Sequence, residues 1–428
     1  MELGLTLAVA ASLVANAPTF VLEWLTDSSV NPPGVPGQFS IIRVPPESCN
    51  GAVLFLGVTY DDIRLGLYSV SSAGVEVIAN TGTPIPGSTG TFQDARQPSC
   101  AGDGIVFLGD DDLAPSSAGP SAYLVSQGVI EPLLVVGTVI GDNSFTGFGD
   151  VSGSDSMIAL DAKLVPTSTT EAMTIKPFDG EPFIVADRTT VLPGQTEPAT
   201  IYSLPVLHGS DFFFHARTLD NLGIYRWSQG EGLSVVVDTQ TPAPVPGAGN
   251  FGIFDSITSL DYGLVFGACY VGSGCGIFVW DAGRLQPLVV PGHETADGHT
   301  ITSAGFAAGG GSLLSFTAKT STNVRDAVFA RTADGAVVRL LGELDVIDGQ
   351  TVVEVLSSAD DTGVALLLDI FGNPPTEAIY KARFVNTVEI PALSGAGVLA
   401  FVLLLAMAAV WLIVRRPGLY RARDPRTR

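Results

Sequence analysis

Four cysteines offer the plainest chemistry in this 428-residue chain. Cys269 and Cys275 bracket Tyr-Val-Gly-Ser-Gly, a turn short enough for their thiols to oxidise across a hairpin. Cys49 and Cys100 stand 51 residues apart, each just before an apolar run that holds Phe55 or Phe107. Disulfides Cys49–Cys100 and Cys269–Cys275 would suit an oxidising compartment; free or partly paired thiols are the alternative. No Cys-x-x-Cys occurs, so neither zinc binding nor dithiol catalysis is expected.

Histidine is scarce: His208, His215, His293 and His299 are all there are. His293 and His299 share a loop with Glu294 and Asp297, but a metal needs three or four converging ligands, and a plain polar loop is the simpler reading. His215 follows three phenylalanines and reads as a packed strand residue. Asp110-Asp111-Asp112 lacks the alternating acids and glycine of a calcium loop and reads as a solvated turn. Nucleophile elbows, phosphate loops and dinucleotide fingerprints are missing from any suitable strand–turn–helix context. The expectation is no cofactor, no metal and no identifiable catalytic residue.

The elements that position these residues repeat. A short strand ending in an aromatic recurs at Tyr68, Tyr123, Tyr225, Phe278, Phe329 and Tyr380, with Thr174 in the one gap; the spacings are 55, 51, 51, 53, 51 and 51. Fixed periods of this size mark solenoids or propellers. Around Tyr225 the unit holds four strand-like runs, 223–227, 233–238, 251–257 and 263–268, separated by Gly, Pro, Asn and Asp. Four short strands per ~50 residues is a propeller blade. We label the runs A to D from the inside outwards, the aromatic strand being C. Six complete sets follow from Gln38. The last set, 351–357, 363–370 and 378–384, lacks D, and residues 20–25 would supply it. The expected fold is an all-β, seven-bladed β-propeller closed by its N-terminal strand, plus one C-terminal transmembrane helix. A β-solenoid is the alternative, although its rungs are shorter.

The repeat also resembles a family of bacterial tandem-repeat proteins with varied C-terminal anchors. The likeness rests on a Pro-Gly loop before a Phe-bearing strand: Pro84 to Gly87 with Phe92, Pro244 to Gly247 with Phe251, and Pro33 to Gly37 with Phe39. The family's Asn-x-x-Gly turn has changed, to Leu260-Asp261-Tyr262-Gly263 for instance. What the resemblance implies is a propeller-like, envelope-anchored protein.

Beyond the repeats, residues 396–414 carry no charge and are long enough, at 19 residues, to cross a bilayer as a helix. Arg415 and Arg416 follow as a membrane stop, and four more arginines place residues 415–428 in the cytoplasm. Residues 5–14 are apolar and Ala15-Asn16-Ala17 fits a signal-peptide cleavage site, so residues 1–17 are read as a signal peptide despite the acid at Glu2. The propeller would then occupy 18–385 and a linker 386–395. Only six of the 21 basic residues and one of the 43 acidic residues lie beyond Ile390, leaving 15 against 42 before it. Such an ectodomain should repel nucleic acid and anionic lipid surfaces.

Ile390, Pro391, Ala392, Leu393 and Ser394 precede the span, with Gly397 after them. Motif, span and basic end together resemble the bacterial IPTL-CTERM sorting signals, relatives of PEP-CTERM, with Ala392 where that family has Thr. The resemblance implies a Gram-negative bacterium, export to the envelope, and removal of the tail by an exosortase-like membrane protease. A permanent single-span anchor in the lipid bilayer is the alternative. The function expected is binding or structural, an inner-membrane-anchored or surface-sorted propeller holding an unknown polymer or protein. A propeller enzyme acting on polysaccharide, with acids around the channel, is the rival.

Overall fold

The computed structural model describes residues 19–385 apart from 36, 61–63, 112–118, 166–169, 273, 324–325, 348–349 and 372–375. Among the described residues every regular element is a β-strand, and no helix is long and apolar enough to cross a membrane. The signal peptide, the sorting motif 390–394, the span 396–414 and Arg415-Arg416 lie outside them.

Seven sheets form seven blades, each an antiparallel meander. Blade 1 is Phe39–Cys49, Ala52–Thr59, Gly66–Ser71 and Gly74–Ala79. Blades 2 to 6 have inner strands Phe92–Ala101, Asn143–Gly153, Ile201–His208, Phe251–Leu260 and Ile301–Gly310. Blade 7 takes strands A to C from Gln350–Asp360, Gly363–Phe371 and Thr376–Val385, and its outer strand is Thr19–Asp27. The closure expected from counting strands is therefore present. Its register is held by the Ser28 N–H donating to Glu377 O (2.9 Å) and by Arg383 Nε on Glu23 Oε2 (2.6 Å), which together run the two strands antiparallel.

The core lies between blades. Seven apolar clusters each join two neighbours; one sets Leu54, Leu56 and Leu67 of blade 1 on Phe92, Phe107 and Tyr123 of blade 2. Strands B are covered on both faces, which is why they read as unbroken apolar runs, whereas the outer strands alternate between buried and exposed. The recurring aromatic of strand C has a constant job. In blade 2, Tyr123 stacks on Phe107 (5.6 Å) and meets Phe92 edge-on (5.0 Å); Tyr68, Phe55 and Phe39 repeat this in blade 1, and Phe278, Phe266 and Phe251 in blade 5. The close fit needs a small residue nearby. A Cβ on Gly109 would lie 2.5 Å from Phe92 Cε1, and one on Gly57 would meet Phe39. Thr174 fills the aromatic position of blade 3, fully buried, across from Leu160.

Candidate ligand-binding channel

Seven A strands line a central cavity of about 990 Å³ that reaches the A–B turns. Their pairing with strand B slips in the inner half. The slip falls between Arg96 and Ser99 in blade 2, Ser203 and Val206 in blade 4, and Gly305 and Ala307 in blade 6. Such bulges re-aim side chains and end regular pairing. Gln97, Leu204 and Phe306 sit in them with φ of 51°, 52° and 42°, a region rarely adopted by non-glycine residues. Pro98 and Pro205 follow two of them and are tolerated where the ladder is interrupted.

The bulges turn polar groups towards the next blade. Gln97 Nε2 donates to Asp150 Oδ1 of blade 3 (3.0 Å), and Asp150 in turn accepts the Leu204 N–H of blade 4. Below this, serine hydroxyls clasp one blade to the next. Ser99 Oγ accepts from Gly153 N–H (3.1 Å), Ser152 Oγ from Leu207 N–H (3.1 Å) and Ser256 Oγ from Ala307 N–H (2.7 Å). Ser358 Oγ accepts from Ser48 N–H (3.0 Å), so the same device spans the closing seam. Each clasp satisfies an N–H on the inner edge of a blade, where strand A has no neighbouring strand to accept it.

Both expected disulfides form. Cys49–Cys100 joins the inner strands of blades 1 and 2 at the channel wall, with Cα atoms 5.6 Å apart. Cys269 and Cys275 are directly opposed across the B–C hairpin of blade 5.

The channel carries titratable groups on four blades: Glu47 on blade 1, Asp155 on blade 3, His208 on blade 4, and Asp255 and Asp261 on blade 5. Burial, reinforced by Asp360, pushes Glu47 up to about 7, and burial also raises Asp255. Lys381 is 1% exposed and meets Asp360 (3.5 Å), Thr362 and the Gly51 carbonyl. A second acidic group belongs to blade 3. Burial, then Asp150 and Glu171, raise Asp161 to about 7, and one oxygen each of Asp161 and Glu171 is buried without a hydrogen bond. Among the described residues no three His, Cys, Asp or Glu side chains come together as a metal site.

Other residues singled out in the sequence fall as follows. His215 is packed as expected, 5% exposed beside Phe254 with its ring centroid 6.0 Å away; Nε2 has no hydrogen bond, and burial lowers its pKa to about 4. His299 holds Asp297 (3.5 Å) and Thr322 (3.1 Å), while Glu294 accepts from Thr300. The reading of Asp110 as a solvated turn is corrected. Asp110 and Asp111 end strand B of blade 2, and Asp110 is partly buried against Arg96 (3.3 Å) because the strand runs two residues further than its apolar stretch. Besides Asp255, strands A carry Glu47 at the end of one bulge and Asp150 inside another.

No protein-family model matches the chain, and no curated protein matches it. Solved structures do. One from a study of two prolyl endopeptidases is similar at 12% identity and a TM-score of 0.48, over 79% of this chain and 46% of that one. Acylaminoacyl peptidase of Pyrococcus horikoshii is similar at 11% identity and a TM-score of 0.47, over 82% and 53%. Trypanosoma rangeli sialidase is similar at 9% identity and a TM-score of 0.35, over 83% and 55%. The chain spans about half the length of these three. At such identities the likeness is to the fold alone.

Proposed function

We propose that this chain is an exported propeller, tethered to the cell envelope by its tail, that holds a polymer or protein ligand without transforming it. The observation that carries the reading is the channel wall. It is built from serines, glycines, apolar side chains and backbone groups, with carboxylates Glu47 on blade 1, Asp155 on blade 3 and Asp255 and Asp261 on blade 5. Binding sites for extended ligands need shape and hydrogen-bonding groups; bond cleavage needs an acid and a base converging on one point. The tether rests on residues 396–414 in the lipid bilayer and on Ile390, Pro391, Ala392, Leu393 and Ser394 as a site for an exosortase-like membrane protease. The experiment has two arms. Mass spectrometry of the protein from envelope fractions of its native host should give a C-terminus near Pro391; a mass retaining Arg428 would leave a permanent anchor, and recovery outside the envelope fractions and the medium would reject export. Incubation with polysaccharides and proteins should give binding with no change in ligand mass.

A second reading, a polysaccharide-cleaving propeller, is favoured by Asp161, whose carboxyl is held near neutral pKa beside Asp150 and Glu171. Release of new reducing ends that Asp161→Asn abolishes would establish it.

A further inference from the structure

Between blades 4 and 5, on the side of the A–B and C–D turns, lies a notch of about 350 Å³, within the ~300–1,000 Å³ range of small-ligand sites. Trp280 forms one wall. It is partly exposed next to Asp281, the last residue of strand C of blade 5, and the two-residue turn Ala282-Gly283, both at positive φ, follows. Arg226 of blade 4 lines the notch next to it. Its Nε and Nη2 bind both oxygens of Asp211 (2.7 and 3.1 Å), and Nη1 binds Glu231 (2.9 Å). The guanidinium lies 5.7 Å over the Trp280 ring. At the end nearer the channel stands His208, which lines both cavities and whose imidazole has no hydrogen bond or ion pair among the described residues.

We infer that this notch is a binding site for neutral sugar residues, with Trp280 as its platform and Arg226, His208 and Asp281 as its hydroxyl contacts. The inference deepens the binding reading above and rests on it. An indole offers a flat apolar surface with a polar edge, suited to the C–H face of a pyranose. Arg226 is fixed before a ligand arrives, and three of its five N–H donors are occupied, leaving two for sugar hydroxyls. Its charge is already met by two carboxylates, and the chain's net charge is −22. The local and global fields both disfavour anionic glycans. Asp281 adds an exposed acceptor that has no ion pair among the described residues, and His208 adds a donor and an acceptor. Because His208 is shared with the channel mouth, a chain of sugars seated in the notch would continue towards the axis. Trp280 meets Phe213 edge-on (5.7 Å) much as the matching indole of blade 4, Trp227, meets Phe183 (5.3 Å), and of the two Trp280 lines a notch.

The test uses the full chain in a non-glycosidic detergent, titrated calorimetrically with maltohexaose, cellohexaose and chitohexaose. At least one should bind, Trp280→Ala should weaken it tenfold or more, and Trp24→Ala, on the exposed outer strand of blade 7, should leave it unchanged. Should Trp280→Ala fail to fold, His208→Ala and Asp281→Asn should each weaken binding about threefold with the melting curve preserved. No binding of any of the three would overturn the inference. So would affinity unaffected by these substitutions, or binding lost only on Glu47→Gln, which would put the ligand inside the channel. Cleavage of a hexasaccharide would reject the holding role; the notch would stand if Trp280→Ala still abolished binding.

Discussion

Replacing His215 by leucine should make the protein more resistant to acid. The imidazole is 5% exposed between blades 4 and 5, and its Nε2 has no partner. Burial lowers its pKa from 6.5 to about 4. Above pH 6.5 neither the folded nor the unfolded state holds the proton, and the native stability is fully present. As pH falls through that value the unfolded chain takes up a proton that the folded chain refuses, so stability is lost until the folded value is reached. One pKa unit is worth about 1.4 kcal/mol, so the loss is about 2 kcal/mol near pH 5 and about 3 kcal/mol near pH 4. Leucine has similar volume and does not titrate. Urea denaturation of both proteins at about pH 8, 6.5 and 5 isolates this one group, because all other titrations cancel in the difference. The variant should gain about 2 kcal/mol on the wild type between the first and last condition. A difference that stays flat with pH would refute the assignment of His215 as a buried neutral residue.

Glu47→Gln should act in the opposite direction: its folded pKa, about 7, lies above the ordinary 4.5, so the native carboxyl costs stability as pH rises through that window, and the variant should melt higher than wild type near pH 8 but not below about pH 4.5. Gly109→Ala should destabilise by about 1–3 kcal/mol in chemical denaturation, since the new methyl must displace the Phe92 ring. Removing Cys49–Cys100, which closes a 51-residue separation, should cost up to about 4 kcal/mol, against about 2 kcal/mol for the six-residue separation of Cys269–Cys275; equal melting shifts for the two pairs would contradict this. Deleting residues 19–27 removes Leu25 and Thr26 from the core and leaves blade 7 with an open edge; calorimetry should show a loss on the order of 5 kcal/mol, and an unchanged melting curve would disprove the closure.

Blade number, strand order and closure were legible because each depends on a residue type that recurs. Tyr68, Tyr123 and Phe278 must be aromatic to fill the same space, and even Thr174 keeps the period. The cysteines were legible for the same reason, since 51 residues is one blade. The channel was not. Gln97, Leu204 and Phe306 occupy equivalent bulges with unrelated side chains, because a bulge is a backbone event. Pro98 and Pro205, inside otherwise strand-like runs, were the available signal. The serine clasps were hidden differently: Ser99, Ser152, Ser256 and Ser358 bond to backbone N–H groups, which every sequence offers. Asp110 misled because a charged residue after an apolar run usually marks a turn, and its partner Arg96 is on another strand. The notch was invisible, as Arg226 and Trp280 meet only when two blades are set side by side.

The closing strand also sets a clock. Thr19–Asp27 is made first and pairs with Thr376–Val385, some 350 residues later. At ~5–20 residues per second of synthesis, it waits on the order of tens of seconds for its partner. Throughout that interval it is an unpaired strand bearing Phe20, Val21, Leu22 and Trp24, with Glu23 as its one internal charge. Glu23 therefore has two successive duties: it discourages pairing with the wrong edge during synthesis, and it then selects the right one through Arg383.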